Sequence, residues 1–98
     1  MKLSQRLSTK ATWRRDVKVT VKLFASYRDA IGKDQVELEV DDPASVATVL
    51  TRLKELFPKL SERLGVNMLI ALNAEYASIK SPVKDGDEMA LFPPVSGG

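Results

Sequence analysis

The sequence contains neither cysteine nor histidine. Without cysteine there are no disulfides and no thiolate nucleophiles, and without histidine there are no imidazole general bases, so the usual zinc ligands are missing as well. No apolar run approaches the ~20 residues that a membrane-spanning helix needs. We therefore expect no metal site and no membrane association. Any reactive group must be a carboxylate, a lysine, a hydroxyl or the C-terminus.

The chain of 98 residues is long enough for one small domain, and its formal net charge of +2 is unevenly distributed. Residues 1–16 contain five basic residues and one acid, whereas residues 17–98 contain ten basic and twelve acidic residues. The basic character therefore belongs to the first 16 residues, and the remainder is mildly acidic. This distribution argues against nucleic-acid binding by the domain, since a binder carries its basic residues on the folded surface.

Residues 1–16 are interpreted as a non-essential N-terminal extension. They are rich in Ser, Thr, Lys and Arg and lack the apolar stretch of a secretory signal. A transit peptide, a membrane-surface helix and a partner-binding arm are the alternatives. Within the extension, Trp13 is the residue expected to pack on the domain.

Alternating side chains predict two strands at the start of the domain, residues 17–25 and 35–40. They are expected to form an antiparallel hairpin, with residues 26–34 as a loop or short turn ending at Gly32. The alternation also places Phe24 on the solvated face of the first strand. The buried face of that strand is expected to hold Val17, Val19, Val21 and Leu23.

One amphipathic helix is predicted after Pro43, with Asp42 or Ser45 as its N-cap. Pro58 ends it, and residues 59–64 form another short turn. Its buried face is expected to hold Val46, Val49, Leu50, Leu53, Leu56 and Phe57.

The C-terminal half is predicted to add strands to the sheet. The apolar run 68–73 is typical of a central strand that is covered on both sides or shielded by a partner. Residues 76–79 form a short edge segment, and Gly86 allows a tight turn before the last strand, residues 88–92. In that strand Met89 faces inward and Phe92 outward.

The last six residues are the expected centre of the chemistry. Two adjacent prolines stiffen the departure from the last strand, and the two final glycines fit a slot too narrow for other residues. At about 3.3 Å per residue, the terminal carboxylate reaches roughly 15 Å from the domain, far enough to enter a partner's active site. A frayed end without function is the alternative. The tail consists of Pro93, Pro94, Val95, Ser96, Gly97 and Gly98.

The element order, the turn at residues 85–88 and the ending at residues 90–98 resemble the ubiquitin-like β-grasp sulfur carriers. The chain is most similar to the MoaD family, the small subunit of molybdopterin synthase. This resemblance implies an α+β fold for residues 17–92, with a mixed sheet of four to five strands packed on one main helix. Residues 93–98 would form an extended tail.

The resemblance also implies a function. An adenylyltransferase similar to ubiquitin-activating enzymes would use ATP to adenylate the carboxylate of Gly98, and a sulfur donor system would convert it to a thiocarboxylate. The large synthase subunit, in a heterotetramer, would then use this sulfur to build molybdopterin. On this reading the chain is cytoplasmic, binds no permanent cofactor and is no enzyme on its own, because the catalytic residues belong to the partners.

Three aromatic residues are expected to form a partner-binding patch at the root of the tail. Phe24 and Phe92 face outward by strand parity, and Tyr76 matches a further apolar interface position of the family. The alternative is that the N-terminal extension, through Trp13, covers them.

Three other functions remain open. The chain could be a protein modifier conjugated through Gly98 to lysines, the sulfur carrier of thiazole synthesis, or a plain ubiquitin-like interaction domain. The thiazole carrier is disfavoured because those chains are shorter and lack the Pro-Pro step.

Overall fold

The computed structural model describes residues 16–65 and 67–94. Its longest helix lies between an N-terminal and a C-terminal group of strands, an order typical of an α+β protein. They are β1 (Asp16–Leu23), α1 (Ser26–Ile31), β2 (Gln35–Asp41), β3 (Ala44–Ser45), α2 (Val46–Leu56), α3 (Pro58–Ser61), β4 (Leu69–Leu72), β5 (Glu75–Tyr76), β6 (Pro82–Val83) and β7 (Glu88–Phe92).

Five of the strands form one mixed sheet in the order β2-β1-β7-β4-β5. Strands β1 and β7 pair in parallel, and the other neighbours pair antiparallel. The predicted hairpin of β1 and β2 is confirmed, with Val19 opposite Leu38. β7 occupies the centre of this sheet, so the chain that follows Phe92 leaves from the middle of the domain and not from an edge.

Helix α2 begins at a capping box. The backbone N–H of Thr48 donates to Oγ of Ser45 (3.3 Å), and the N–H of Ser45 donates to Oγ1 of Thr48 (3.2 Å). Ser45, one of the two predicted caps, is therefore the N-cap. The helix ends at Leu56, before Pro58, as predicted.

The core lies between the inner face of the sheet and α2. It contains no buried polar or charged residue among those the structure describes, apart from the hydroxyl of Tyr27. Leu56 was expected to join it but is 45% exposed at the last position of the helix. The residues with the least exposure include Val19, Val21, Leu23, Tyr27, Val46, Val49, Leu53, Leu60, Met89 and Leu91.

Two segments predicted as turns contain short helices. α1 lies in the predicted loop and ends at Gly32, whose φ of 71° is left-handed and whose N–H donates to the carbonyl of Arg28 at 2.8 Å. α3 begins at Pro58, which fits the first turn of a helix. Both are too short to show a helical period in the sequence. Each buries one large side chain, Tyr27 in α1 and Leu60 in α3.

The first and last boundaries of β1 differ slightly from the prediction. The strand begins at Asp16, so the N-terminal extension comprises residues 1–15. These residues, including Trp13, lie outside the described residues. The strand ends at Leu23 because Ala25 has a φ of 52°, which breaks the extended backbone before α1.

Candidate partner-binding face and C-terminal tail

Two phenylalanine rings stack at the point where the tail leaves the sheet. The ring centroids of Phe24 and Phe92 lie 4.6 Å apart and the rings are nearly parallel, at 10°. The parallel pairing of β1 with β7 sets Leu23 opposite Leu91. The residues that follow them, Phe24 and Phe92, therefore lie next to each other. Both rings lie on the outward side, where Phe24 is 38% exposed and Phe92 half-buried.

Tyr76 lies on the same outward side and is 83% exposed. It pairs with Ala71 on β4, which in turn pairs with Ala90 on β7. Two small side chains therefore separate Tyr76 from β1 and leave its ring uncovered within the described chain. The structure thus places all three residues of the predicted patch on one face of the sheet.

Leu69 belongs to this face too, although sequence reasoning missed it. It pairs with Phe92 and is 48% exposed, whereas its neighbour Ile70 is buried. Within the described residues strand β4 is therefore covered on one side only. Of the two predicted alternatives, cover on both sides is not what these residues show, and shielding by a partner stays a prediction. The signal was present in the run 68–73, where an uninterrupted series of apolar residues places apolar side chains on both faces.

The apolar face, as we call the surface of Phe24, Leu69, Tyr76, Phe92 and the following prolines, forms two shallow cavities on either side of Tyr76 and Phe92. Each has a volume of about 420 Å³. The first is lined by Phe24, Ala25, Leu69, Tyr76, Phe92, Pro93 and Pro94. The second is lined by Ala71, Ala74, Tyr76, Glu88, Ala90 and Phe92. A contiguous exposed surface of this composition is typical of a protein-binding site.

A pair of charged side chains borders the apolar face. Nζ of Lys22 lies 3.1 Å from a carboxylate oxygen of Glu88, and both side chains are about half exposed. Beyond this ion pair, towards β2, the outward positions of the sheet are polar. The border limits the apolar face to β7, β4, β5 and the end of β1.

The start of β7 is held by a network centred on Asp87. Its carboxylate accepts hydrogen bonds from the backbone N–H of Lys84 (2.8 Å) and from Nδ2 of Asn73 (3.0 Å). Oδ1 of Asn73 accepts from the N–H of Glu88 at 3.0 Å. Gly86 has the positive φ, 89°, that the predicted tight turn requires. These contacts fix the register of β7 and so the direction in which the tail departs.

Pro93 and Pro94 line the apolar face at the base of the tail, and Pro93 is half-buried there. The remaining predicted tail residues, 95–98, lie outside the described residues. In the described ranges, 16–65 and 67–94, no group of three or more acidic side chains could hold a metal ion and no helix could span a bilayer. The carboxyl group of Gly98 as the reactive group stays a prediction.

The sequence matches the model of the ThiS family over residues 21–98. The chain belongs to the ThiS family. Within it, the predicted kinship with the MoaD family is confirmed by the molybdopterin synthase sulfur carrier subunit of Haemophilus influenzae, which is 40% identical over 81 residues. That alignment covers 82% of this chain and 99% of the relative.

Solved structures of similar proteins confirm the ubiquitin-like β-grasp fold. The crystal structure of SAMP1 from Haloferax volcanii is similar with a TM-score of 0.74 and 35% identity, covering 83% of this chain and 99% of that one. A protein-protein complex of subunits 1 and 2 of molybdopterin-converting factor from Helicobacter pylori contains a chain with a TM-score of 0.62 and 30% identity. The match covers 84% of this chain and 100% of that one.

Proposed function

We propose that this member of the ThiS family is the sulfur carrier subunit of a molybdopterin synthase. The observation that carries the proposal is the apolar face at the root of a tail ending in Gly97 and Gly98, in a chain whose family match runs through residue 98. The similar sulfur carrier subunits support it. We further propose that the protein works in the cytoplasm.

The proposed reaction takes place at the carboxyl group of Gly98. A C-terminal carboxylate has a reference pKa near 3.3–3.7, so it is ionised at neutral pH and is a poor electrophile. Attack of one carboxylate oxygen on the α-phosphate of ATP releases pyrophosphate and leaves an acyl adenylate. Sulfur at the oxidation level of sulfide then displaces AMP and forms a thiocarboxylate. An adenylyltransferase supplies the first step and a sulfur donor system the second.

The apolar face is proposed to dock the large subunit, and the tail to enter its active site. Burying exposed rings such as Tyr76 and Phe24 is worth on the order of 1.5–3 kcal/mol each, before the cost of association. The complex of the two subunits from Helicobacter pylori supports such a partner. Pro93 and Pro94 hold the tail away from the domain, and the glycines at 97 and 98 let it pass a narrow channel.

The test is an intact-mass measurement. The purified chain is incubated with ATP, its adenylyltransferase and a sulfide source, and then with the large subunit and its pyranopterin substrate. We expect a sulfur-for-oxygen mass increase that disappears as molybdopterin forms. Deletion of Gly98 should abolish both changes, and Gly97→Val should allow the domain to fold but block transfer. A chain that never gains mass would contradict the proposal.

A second candidate is conjugation to other proteins, and it is favoured by the similarity to SAMP1 from Haloferax volcanii. The acyl adenylate at Gly98 would then react with a lysine Nε of a target, releasing AMP and forming an isopeptide bond. The same incubation separates the two functions. Adducts on target lysines without transfer of sulfur to the pterin would assign the chain to the modifiers.

A further inference from the structure

A second surface of the domain lies far from the apolar face, between the edge strand β2 and helix α2. It is a groove of about 590 Å³. Its walls carry three carboxylates, those of Glu39, Asp41 and Glu55, and one guanidinium, that of Arg52, which lies 3.3 Å from Glu55. The remaining lining residues are Val40, Thr48 and Thr51. The groove is therefore acidic along its rim and uncharged at Val40, Thr48 and Thr51.

The N-terminal extension enters the domain beside this groove. β1 begins at Asp16, whose partner across the sheet is Asp41, a groove residue. Residues 1–15 include five basic residues and no acidic one. A strongly basic segment is thus tethered about one strand spacing, ~5 Å, from an acidic groove. Such tethering gives the segment a high effective concentration there.

The length of the chain decides which surface Trp13 can reach. It lies three residues before Asp16, a distance of about 10 Å at most. Phe24 lies eight residues beyond Asp16, about 26 Å away at ~3.3 Å per residue along β1 and its continuation. The difference between these two distances exceeds the length of an indole side chain. Trp13 therefore cannot reach Phe24 or the stacked rings, but the groove is within its range.

We propose that residues 10–15 of this chain dock in the groove between β2 and α2. Arg14 and Arg15 face the carboxylates of the rim, and Trp13 packs over the uncharged stretch at Val40 and Thr51. Docking there keeps the extension at the β2 edge of the sheet, whereas the last strand, β7, lies at its centre. The apolar face then stays free for its partners, so this inference holds whether the chain is a carrier or a modifier.

Trp13 is the single tryptophan of the chain, so its fluorescence reports on docking directly. We would measure acrylamide quenching of Trp13 in the full chain and in a free peptide of residues 1–16. We expect weaker quenching in the full chain. The double variant Glu39→Gln, Glu55→Gln should weaken docking by roughly two- to fivefold for each carboxylate removed and raise quenching towards the peptide value. Added salt should act in the same direction, because exposed charges are screened.

The matched control is Glu75→Gln, an exposed carboxylate on β5 at the opposite edge of the sheet, which should leave quenching unchanged. All three carboxylates are exposed, so unfolding midpoints should show that every variant is folded. Quenching in the native chain equal to that of the peptide would overturn the proposal. So would protection of Trp13 that survives both the groove substitutions and high salt, since the extension would then be docked elsewhere.

Discussion

The outward side of the sheet has two halves that share a backbone architecture and differ in what they present. On β2 and most of β1 the outward positions are Lys18, Thr20, Glu37 and Glu39, which suit water. On β7, β4 and β5 they are Phe92, Ala90, Leu69, Ala71 and Tyr76, with Glu88 at the border. The inward positions of β1, β2 and β7 alternate with these and are buried in the core. The difference divides the outward side into a polar half and an apolar half, and the apolar half is the surface at which we propose partner binding.

The largest expected effect comes from removing the stacked rings. Phe24→Ala and Phe92→Ala should each weaken binding to the large subunit by about 2 kcal/mol or more, roughly 30-fold, as for buried aromatic anchors of an interface. Stability should fall by less than the roughly 3–5 kcal/mol of a buried Phe→Ala change, because the rings are partly exposed. Affinity and urea midpoint are measured together.

The control for this pair is Lys18→Ala with Glu37→Ala on the polar half, which should change neither quantity by more than about 0.5 kcal/mol. A collapse of the midpoint with unchanged affinity of the folded protein would show that the rings serve the core instead.

A smaller loss of affinity is expected at the rim of the same face. Tyr76→Ala should weaken partner binding by about tenfold and leave the free energy of unfolding within about 0.5 kcal/mol, since the ring is 83% exposed. Leu69→Ala should behave similarly, with a somewhat greater cost in stability because about half of this side chain is covered. Titration calorimetry with the large subunit checks both. If both variants bind the large subunit with unchanged affinity, only Phe24 and Phe92 of the apolar face contribute to binding.

Tyr27 offers a contrast with Tyr76, since its ring is buried and its hydroxyl has no hydrogen-bond partner within the described residues. Tyr27→Phe should therefore raise the free energy of unfolding by roughly 1 kcal/mol. Tyr76→Phe, on the exposed ring, is the matched control and should leave it within about 0.5 kcal/mol. A destabilised Tyr27→Phe variant would reveal a partner for the hydroxyl.

The native chain and the Tyr27→Phe variant should also differ in how their stability changes at high pH. Burial raises the pKa of Tyr27 above its usual value of 10.0. The folded state therefore holds the phenolic proton more tightly than the unfolded state, and this contribution to stability is present below pH 10 and is lost as the pH rises through the folded pKa. Above pH 10, the urea midpoint of the native chain should therefore fall relative to that of Tyr27→Phe. Parallel curves would contradict the assigned cause.

The smallest effect is expected from deleting residues 1–15. Among the described residues the first buried side chain is that of Val17, so the deletion removes no described core residue. We expect the thermal midpoint to change by less than about 4–8 °C, the shift produced by ~1 kcal/mol in a domain of this size. Affinity for the large subunit should stay the same. A larger drop would show that the extension contributes to the core.

The sequence by itself predicted the elements whose pattern is local and long enough to read. The period of two in β1, β2 and β7 places one set of side chains inside, and the helical period from Val46 to Leu53 predicts α2. The choice between Asp42 and Ser45 as its N-cap was left open by the sequence and was decided by the structure. The Pro-Pro step and the final glycines predict an extended tail from the backbone properties of proline and glycine alone, and this stays a prediction.

Only the tertiary structure decided the rest. Helix α1 spans six residues, and its position depends on the burial of Tyr27, which no local period announces. Leu69 could be assigned to the exposed side only once β4 was paired with β7. The stacking of Phe24 on Phe92 follows from a parallel pairing between strands 68 residues apart in the chain, and such long-range pairing is invisible to any pattern of neighbouring residues.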